Sequence, residues 1–343
     1  MTTRIDLRSD TITRPSREMR KAMARAEVGD DVYAEDPTVN ELQKKAAQIT
    51  GKKDALFVSS GSMGNLIPLM ILAGRGKEVL THKNSHIIHY ELSSCAAIAG
   101  VTPIQVEGER GILTPKNLES HLRDESAYDM PRVGLIEIEN SHNKEGGTCY
   151  TKDQLKDLQD FAKKNRIPIH MDGARLFNAS LASNTPVKKI CSYVDSLTFC
   201  LSKGLGAPAG SMLCGDTPFI NEARRVRKML GGGMRQVGIL AAAGIYGLEN
   251  NITRLIEDHE NAKKLAMVIS ETSWGHIDLD TVETNIIYFD TPGRKAPEIV
   301  DALGKKGIIV GAMGPRQIRM VTSLAVRNEE IDEACKIIRE LKL

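Results

Sequence analysis

Short apolar runs alternate with amphipathic stretches along the first 250 residues, and this alternation constrains the fold most strongly. The runs predicted as strands are Ala55–Val58, Glu78–Thr81, Val101–Val106, Val133–Glu139, Ile167–Met171, Ser196–Cys200 and Gly210–Cys214. The stretches predicted as helices between them are Asn65–Ala73, Ile87–Ala99, Asp153–Asn165 and Phe219–Leu230. Strands that alternate with helices predict an α/β fold with a mostly parallel sheet covered on both faces. Sites in such folds lie at the carboxyl ends of the strands.

The pattern changes near residue 250. A long polar helix is predicted first, and short strands and a final helix follow it: 251–270, 285–290, 308–310, 318–321 and 328–341. This change predicts a large domain at residues 15–250 and a smaller α+β domain at residues 251–343. Residues 1–14 are too few to fold alone, so we expect them to pack against the small domain or near the cleft.

Composition and charge restrict the class of protein. The chain has 343 residues, of which 41% are hydrophobic and 26% charged, as in a globular protein with a substantial core. A formal net charge of +2 gives no reason to expect a nucleic-acid partner. No stretch approaches the about 20 apolar residues of a membrane span, and no apolar signal segment begins the chain. The six cysteines form no C-x-x-C pair, which predicts reduced thiols, a cytoplasmic location and no metal site.

The segment Val58–Asn65 follows a predicted strand and precedes a predicted helix. Gly61 permits a tight turn there, and the next backbone N–H groups point out of the helix start. With the hydroxyls of Ser60 and Ser62 they suit an anion cup, although a plain capped turn is the more common explanation of such a segment taken alone. Pro68 should kink or shorten the helix that follows.

Two further polar residues follow apolar strands. Asp172 ends the run Ile167–Met171, where a carboxylate is costly unless it has a partner. That partner is either a protonated ring nitrogen or simply Arg175. Lys203 follows the run Ser196–Cys200, where desolvation lowers the pKa of an amine, although most lysines at strand ends are solvated.

Together, the three features fit one ligand. Pyridoxal 5′-phosphate (PLP) needs an anion cup for its phosphate, an acid for its pyridine nitrogen and a lysine for its aldehyde. The sequence places all three at predicted strand ends, which is far less expected by coincidence than any one alone. We therefore predict an enzyme that holds PLP as a Schiff base on Lys203.

Several segments make the chain resemble the low-specificity L-threonine aldolases, which belong to the fold-type-I, aspartate aminotransferase-like group of PLP-dependent enzymes. The resemblance extends from Asp6 to the region of Arg319 and is carried by the segments 6–11, 28–33, 35–38, 60–65, 139–143, 170–175, 201–205 and 228–236. It implies a large PLP-binding domain with a mostly parallel sheet, a smaller C-terminal domain, and active sites between the subunits of a homotetramer.

The resemblance also implies cofactor-binding roles. Lys203 would form the Schiff base, Asp172 would pair with the pyridinium nitrogen, and His86 would stack on the ring. Gly61 and Ser62 would cradle the phosphate; the family usually has Thr at position 62, and Ser keeps the hydroxyl. Arg235, after the triple glycine 231–233, would reach the phosphate from a neighbouring subunit, although an arginine there also suits helix-end carbonyls.

Substrate roles follow from the same resemblance. Ser9, Arg175 and Arg319 would bind the substrate carboxylate, since a guanidinium suits bidentate contacts, and Arg175 would also lie against the cofactor. Tyr33, Tyr90 and His142 would line the pocket. Ser323 stands where the family often has His, which leaves the outer wall of the pocket undefined.

The predicted reaction is retro-aldol cleavage of L-threonine or L-allo-threonine to glycine and acetaldehyde. The base that removes the β-hydroxyl proton is His86, His142 or a water held by either, because imidazole titrates near working pH. Without the resemblance, ordinary loop histidines explain His86 and His142 as well as a catalytic role does. The alternatives are another PLP-dependent reaction, such as elimination, racemisation or transamination, and a catalytically silent binding protein.

Overall fold

The predicted strands of the first 250 residues form one seven-stranded sheet in the computed structural model, which describes residues 4–124 and 126–343. Numbered along the chain, the strands are β1 (Ile5–Asp6), β2 (Asp54–Val58), β3 (Glu78–His82), β4 (Thr102–Val106), β5 (Val133–Glu139), β6 (Ile169–Asp172), β7 (Ser196–Cys200), β8 (Ser211–Gly215), β9 (Ile286–Asp290), β10 (Ile308–Ile309), β11 (Gly311–Gly314) and β12 (Gln317–Val321).

The order across this sheet is β2-β8-β7-β6-β5-β3-β4. Only β8 runs antiparallel to its neighbours β2 and β7, and the other pairs are parallel. Two antiparallel steps restore the direction, so β2 points the same way as β7. The carboxyl ends of β2 to β7 therefore meet at one edge, which confirms the prediction of a mostly parallel α/β fold.

Helices cover both faces of the sheet. Numbered along the chain, the α-helices are α1 (Arg17–Ala24), α2 (Pro37–Thr50), α3 (Gly61–Pro68), α4 (His86–His89), α5 (Pro115–Glu119), α6 (Lys152–Asn165), α7 (Leu176–Ala182), α8 (Val187–Cys191), α9 (Thr217–Met229), α10 (Gly238–Asn250), α11 (Leu255–Ser270), α12 (Ala296–Lys305) and α13 (Asn328–Glu340). Alternate residues of β2 enter different cores: Phe57 packs in the core that includes α2, and Leu56 packs in the core that includes α9. Both faces of a parallel sheet must be covered in this way, since neither can face water.

Local sequence signals set the ends of the longer helices. Thr151 caps α6 by accepting from the Gln154 N–H at 3.2 Å, and the Gln154 side chain accepts from the Thr151 N–H at 2.8 Å. Asp36 caps α2 in the same position, with Pro37 as its first residue. Gly51 ends α2 at φ +71°, a conformation that costs glycine little.

One helix prediction is wrong, and the effect predicted for Pro68 is present. Residues 87–99 do not form one helix: α4 ends at His89, and Cys95–Ala99 is a separate π-helical turn. Between them Leu92 and Ser93 adopt left-handed backbone angles, φ +51° and +57°, which no α-helix accommodates. Pro68 shortens its helix as predicted, since the α-helical part ends there and Leu69–Ala73 continues as a π-helical turn.

The C-terminal residues build a second core. Strands β9, β12 and β11 form an antiparallel sheet in the order β11-β12-β9, and β1 pairs in parallel with β10. Ile5 and Leu7 join the apolar residues of 262–338 in one hydrophobic cluster. The predicted domain limits at residues 14 and 250 stay a prediction. Within the described ranges, no helix has the length and apolar character needed to cross a membrane.

Candidate active site

Two of the predicted site residues, Asp172 and Lys203, lie at the common carboxyl edge of the sheet. Asp172 is the last residue of β6, and it pairs in register with Glu139, the last residue of β5. Lys203 lies just beyond the end of β7, the next strand along the sheet. This is the edge at which α/β folds form their sites.

Asp172 is buried and held by two hydrogen-bond donors. Its Oδ2 accepts from Asn65 Nδ2 at 2.7 Å, and its Oδ1 accepts from the backbone N–H of Ala174 at 2.9 Å. Burial alone would raise the pKa of this carboxyl, but the charges of His86 and Lys203 and the two donors hold it below the ordinary value. The site therefore contains a buried carboxylate that stays ionised near neutral pH.

The segment predicted as an anion cup forms the start of α3. The Ser60 hydroxyl accepts from the Met63 N–H at 3.2 Å, and the Ser60 carbonyl accepts from the Gly64 N–H at 3.1 Å. The N–H groups of Gly61 and Ser62 are the remaining donors at this helix start. A Cβ at position 61 would lie 3.0 Å from Cys200 Sγ, so glycine allows the helix to begin directly over the end of β7.

His86 begins α4 and is fixed at two points. Its backbone N–H donates to Glu139 Oε2 at 3.0 Å, and its Nδ1 lies 2.8 Å from Glu91 Oε1. The Tyr90 ring lies against it, with ring centroids 5.3 Å apart. Burial alone would lower the pKa of His86, but the contact with Glu91 and the nearby carboxylates raise it. His86 thus combines a fixed ring with increased basicity.

His142 lies in a different environment. Its side chain is fully buried, both ring nitrogens lack a hydrogen-bond partner among the described residues, and its ring meets His82 edge-on at 4.9 Å. Burial and the neighbouring His82 lower the pKa of His142 to about 3, so this imidazole stays neutral. Its Nε2 lies 3.9 Å from Glu139 Oε2. Burial and the nearby Asp172 raise the pKa of Glu139 to about 7.

The two predicted carboxylate-binding arginines meet at Asn143. Arg319 donates from Nη1 to Asn143 Oδ1 at 3.1 Å and from Nη2 to the Arg8 carbonyl at 3.2 Å. Its buried Nε has no partner among the described residues. Arg175 instead directs Nε and Nη2 to Asp10, at 2.6 and 2.8 Å, and so pairs with Asp10 rather than with Asp172.

Ser9 lies on the same N-terminal segment, between the two contacts just described. Its hydroxyl accepts from the Thr11 N–H at 3.2 Å and caps a short 3₁₀ turn, Asp10–Ile12. Arg8 and Asp10, its chain neighbours, contact the two arginines directly. The structure therefore brings the predicted carboxylate-binding residues together.

Arg235 and Tyr33 are not joined to this site by any hydrogen bond or ion pair in the described part of the chain. Arg235 donates to Asp30 Oδ2 at 2.7 Å and remains about half exposed, and Tyr33 is 71% exposed. Close packing explains part of the preceding glycine run: a Cβ at Gly232 would lie 2.6 Å from the Met63 sulfur. Both exposed side chains lie on one surface, because Asp30 immediately precedes the 3₁₀ turn that carries Tyr33.

His86, Glu91 and Asp172 also bring ligand atoms within 4.8 Å of one another, a spacing that suits a metal ion. Asn65 Nδ2 donates to both carboxylates, at 2.9 Å to Glu91 and 2.7 Å to Asp172. Amide hydrogens point where a cation would need lone pairs, so these contacts favour a hydrogen-bonded network over a metal site.

Sequence reasoning missed four residues that organise the site: Asn65, Glu91, Asp10 and Glu139. Asn65 lies one helical turn after Gly61 in α3, so the two residues share one face of the helix, next to the carboxyl edge of the sheet. Glu139 and Asp172 both end apolar runs, and that shared position was the available signal for Glu139. The sequence contained no signal for Glu91, because α4 ends before it and helical spacing therefore does not give its position relative to His86.

Comparisons with known proteins agree with this geometry. The sheet order and the site at its carboxyl edge define an α/β enzyme of fold type I, the architecture of a group of PLP-dependent enzymes. Two solved structures share the fold: Leishmania major threonine aldolase, at TM-score 0.82 and 21% identity over 98% of both chains, and Sphingomonas wittichii serine palmitoyltransferase, at TM-score 0.77 and 15% identity over 98% of this chain and 86% of that one.

Sequence comparison specifies the family. The family described as beta-eliminating lyase matches residues 6–292, and the chain belongs to it. Low-specificity L-threonine aldolase 1 of Arabidopsis thaliana is 40% identical over 333 residues, covering 95% of this chain and 93% of that protein. Low specificity L-threonine aldolase of Escherichia coli K12 is 39% identical over 330 residues, covering 96% of each.

Proposed function

We propose that this chain is a PLP-dependent threonine aldolase, which cleaves L-threonine and L-allo-threonine to glycine and acetaldehyde. One observation carries the proposal: a buried, ionised Asp172 lies at the sheet edge close enough to Lys203 for the lysine charge to lower its pKa. Support also comes from the aldolase relatives at about 40% identity along nearly the whole chain.

The residues present fit PLP at three points. The N–H groups of Gly61 and Ser62 at the start of α3 suit a phosphate, because a helix start carries partial positive charge. Asp172 suits the pyridine nitrogen, because an ionised carboxylate keeps a proton on it. Lys203 supplies the amine for the aldehyde. When bound, PLP supplies the electron sink for a bond broken at the substrate Cα.

The chain's own residues orient the substrate. Arg319 has a buried Nε without a partner among the described residues, so it is the better placed arginine for the amino-acid carboxylate. Arg175 is already paired with Asp10, and we assign it the role of holding the N-terminal segment with Ser9 at the site. Fixing the carboxylate sets which Cα bond is aligned for cleavage, and alignment is worth several kcal/mol of barrier, about 7–11 at best.

His86 is the better candidate for the base that takes the β-hydroxyl proton. Its Nδ1 faces Glu91, which leaves Nε2 as the free ring nitrogen, and its side chain is about a quarter exposed. His142 is fully buried and neutral, with a pKa of about 3, so it is a weak proton acceptor. We assign His142 to the wall of the pocket, with Tyr90.

Arg235 and Tyr33 act in a neighbouring subunit under this proposal. Both are exposed on one surface of the chain, and in the described residues neither has a hydrogen bond or ion pair to the site of its own chain. A homotetramer with sites between subunits would give both side chains a ligand, with Arg235 on the phosphate. We expect the enzyme to act in the cytoplasm on a small amino acid.

A second candidate is racemisation of an amino acid at the same site. Alanine racemase TOXG of Cochliobolus carbonum is 34% identical over 320 residues, covering 90% of this chain and 81% of that protein. Both reactions break a bond at Cα, and the carboxylate contacts decide which bond is aligned.

The experiment measures acetaldehyde released from L-threonine and L-allo-threonine by the PLP-loaded protein and by Lys203→Ala. We expect release by the wild type alone, and the ratio of the two rates gives the stereochemical preference. Chiral chromatography of L-alanine incubated with the same samples tests the second candidate. Racemised alanine without acetaldehyde would replace the aldolase proposal with the racemase, and equal release by Lys203→Ala would exclude the role of Lys203.

A further inference from the structure

Glu91 is a buried carboxylate that the proposed reaction does not yet use. It lies just after α4 with its side chain 1% exposed, and its Oε1 accepts from His86 Nδ1 at 2.8 Å and from Asn65 Nδ2 at 2.9 Å. The two residues that follow it, Leu92 and Ser93, both adopt left-handed backbone angles. Strained backbone of this kind persists where the surrounding structure needs it, and it is concentrated at functional sites.

We infer that Glu91 is a positioning residue that fixes His86 with its Nδ1 proton on the carboxylate and its Nε2 free to accept a proton from the substrate. The inference rests on the proposed function, because it assigns Glu91 a task in that same site. It extends the reaction machinery by two residues, Glu91 and Asn65, neither of which contacts the reacting atoms.

The chemistry of the contact supports this assignment. An ionised carboxylate only accepts hydrogen bonds, so Nδ1 of His86 carries the hydrogen in the contact with Glu91. The neutral imidazole then has its lone pair on Nε2, and the protonated form is stabilised by the negative charge beside it. This is the task that a buried aspartate performs for the histidine of a serine protease triad.

Asn65 couples this pair to the buried carboxylate of Asp172. The same amide nitrogen donates to Glu91 Oε1 and to Asp172 Oδ2, and both of those carboxylates are buried. Asn65 thereby stabilises negative charge on each and keeps the two carboxylates apart. The Oδ1 of Asn65 lies 3.5 Å from His170 Nε2. Burial lowers the pKa of His170 to about 4, so the residue on the other side of Asn65 is a neutral imidazole.

Three carboxylates and one phenol face His86 from the surrounding elements. Glu91 lies on its own turn, Asp172 comes from β6 and Glu139 from β5, and Tyr90 packs against the ring. The only one of these groups in hydrogen-bond contact with the ring is Glu91, within the described residues. Burial raises the pKa of Glu91, and its contacts with His86 and Asn65 oppose that rise.

Glu137 provides a matched control. It is also a fully buried glutamate near this edge, on β5, but its partner is the Thr81 hydroxyl and it does not touch His86. Burial raises its pKa well above the ordinary value. Glu137→Gln therefore changes a buried glutamate that has no contact with His86, whereas Glu91→Gln makes the same change in shape at the carboxylate bonded to His86.

The experiment follows the pH dependence of hydrogen–deuterium exchange at the C2 position of each histidine, by mass spectrometry of the PLP-loaded protein. Exchange at C2 reports the protonation of each ring separately and requires no turnover. We expect the pKa of His86 to be lower in Glu91→Gln than in the wild type and unchanged in Glu137→Gln. In parallel, the rising limb of the pH profile of kcat/KM should move to lower pH in Glu91→Gln, with kcat reduced about tenfold or more.

A graded variant protects the test against misfolding. Glu91→Asp keeps the charge but withdraws it by one methylene, so the pKa of His86 should lie between the wild type and Glu91→Gln. An unchanged pKa in Glu91→Gln, or an equal decrease in Glu137→Gln, overturns the inference. If Glu91→Gln does not fold, a pKa in Glu91→Asp equal to the wild type overturns it, and a lower one supports it.

The two proposals fail in different ways. A wild-type protein that releases no acetaldehyde refutes the aldolase function, while the exchange data still decide whether Glu91 sets the protonation of His86. A wild-type protein that releases acetaldehyde but shows no effect of Glu91 on His86 leaves the aldolase function intact and removes the role assigned to Glu91.

Discussion

Asp10→Asn is expected to destabilise the protein far more than its modest change in shape suggests. The Asp10 and Arg175 side chains are 0% and 4% exposed, and two hydrogen bonds of 2.6 and 2.8 Å join them. Asn keeps the shape and removes the charge, which leaves the guanidinium buried without its counter-ion. Removing one partner of such a pair costs about 3–5 kcal/mol, because the remaining charge has lost its compensation.

Asp301→Asn is the matched control. Asp301 pairs with Lys305 on α12 at 2.6 Å, but the two side chains are 65% and 74% exposed, and exposed pairs contribute about 0–1 kcal/mol. The two variants therefore make the same chemical change in a buried and in an exposed ion pair.

The assay is urea unfolding of both variants and the wild type at pH 7, followed by circular dichroism. The pKa of Asp10 is below its ordinary value of 3.8, because burial is outweighed by Arg175 and the other nearby groups. A carboxyl with a lowered pKa stabilises the fold above its unfolded-state pKa. The advantage of the wild type over Asp10→Asn should thus be complete at pH 7 and shrink as the pH falls below about 3.8. Equal urea midpoints for Asp10→Asn and Asp301→Asn at pH 7 would refute this reasoning.

Further changes test other parts of the structure. Gly111→Ala should be less stable than Gly146→Ala by about 1–3 kcal/mol in thermal unfolding. Both glycines have φ near +80°, so the backbone strain is similar, but only a Cβ at position 111 would meet the His142 ring, at 2.4 Å. Glu139→Gln should gain stability relative to the wild type as the pH rises from 4.5 through about 7, since the raised pKa makes the ionised form unfavourable; a constant difference in urea midpoint would contradict this. Arg319→Gln should raise KM for the amino acid in initial-rate assays and leave PLP affinity unchanged.

The positions of the strands were predictable because strands buried on both faces appear in the sequence as continuous apolar runs. Each apolar run from Ala55–Val58 onward became a strand with limits shifted by at most two residues, since residues buried on both faces of a sheet must be apolar. The antiparallel direction of β8 was not predictable, because its run has the same apolar character as the runs that form the parallel strands. The short strand β11, which contains two glycines, lacks the apolar alternation that marks a strand.

The candidate site was predictable where function and position coincide. Asp172 and Lys203 both come after apolar runs in the sequence, so each was recognisable as an ionisable residue at the end of a predicted buried strand. Asp10 and Glu91 were not recognisable in this way, because the partner of Asp10 is distant in the sequence and the partner of Glu91 lies beyond the end of a helix. The prediction of one helix at residues 87–99 failed because Leu92 and Ser93, neither of which is a typical helix breaker, adopt left-handed conformations.

The covalent attachment of PLP to Lys203 is the central claim, and peptide mapping after borohydride reduction tests it most directly. The PLP-loaded protein is reduced and digested, and mass spectrometry locates the phosphopyridoxyl group. We predict that the group lies on the peptide containing Lys203 and that the yellow colour is lost on reduction. A group on another lysine, or a protein that carries none after incubation with PLP, would contradict the claim.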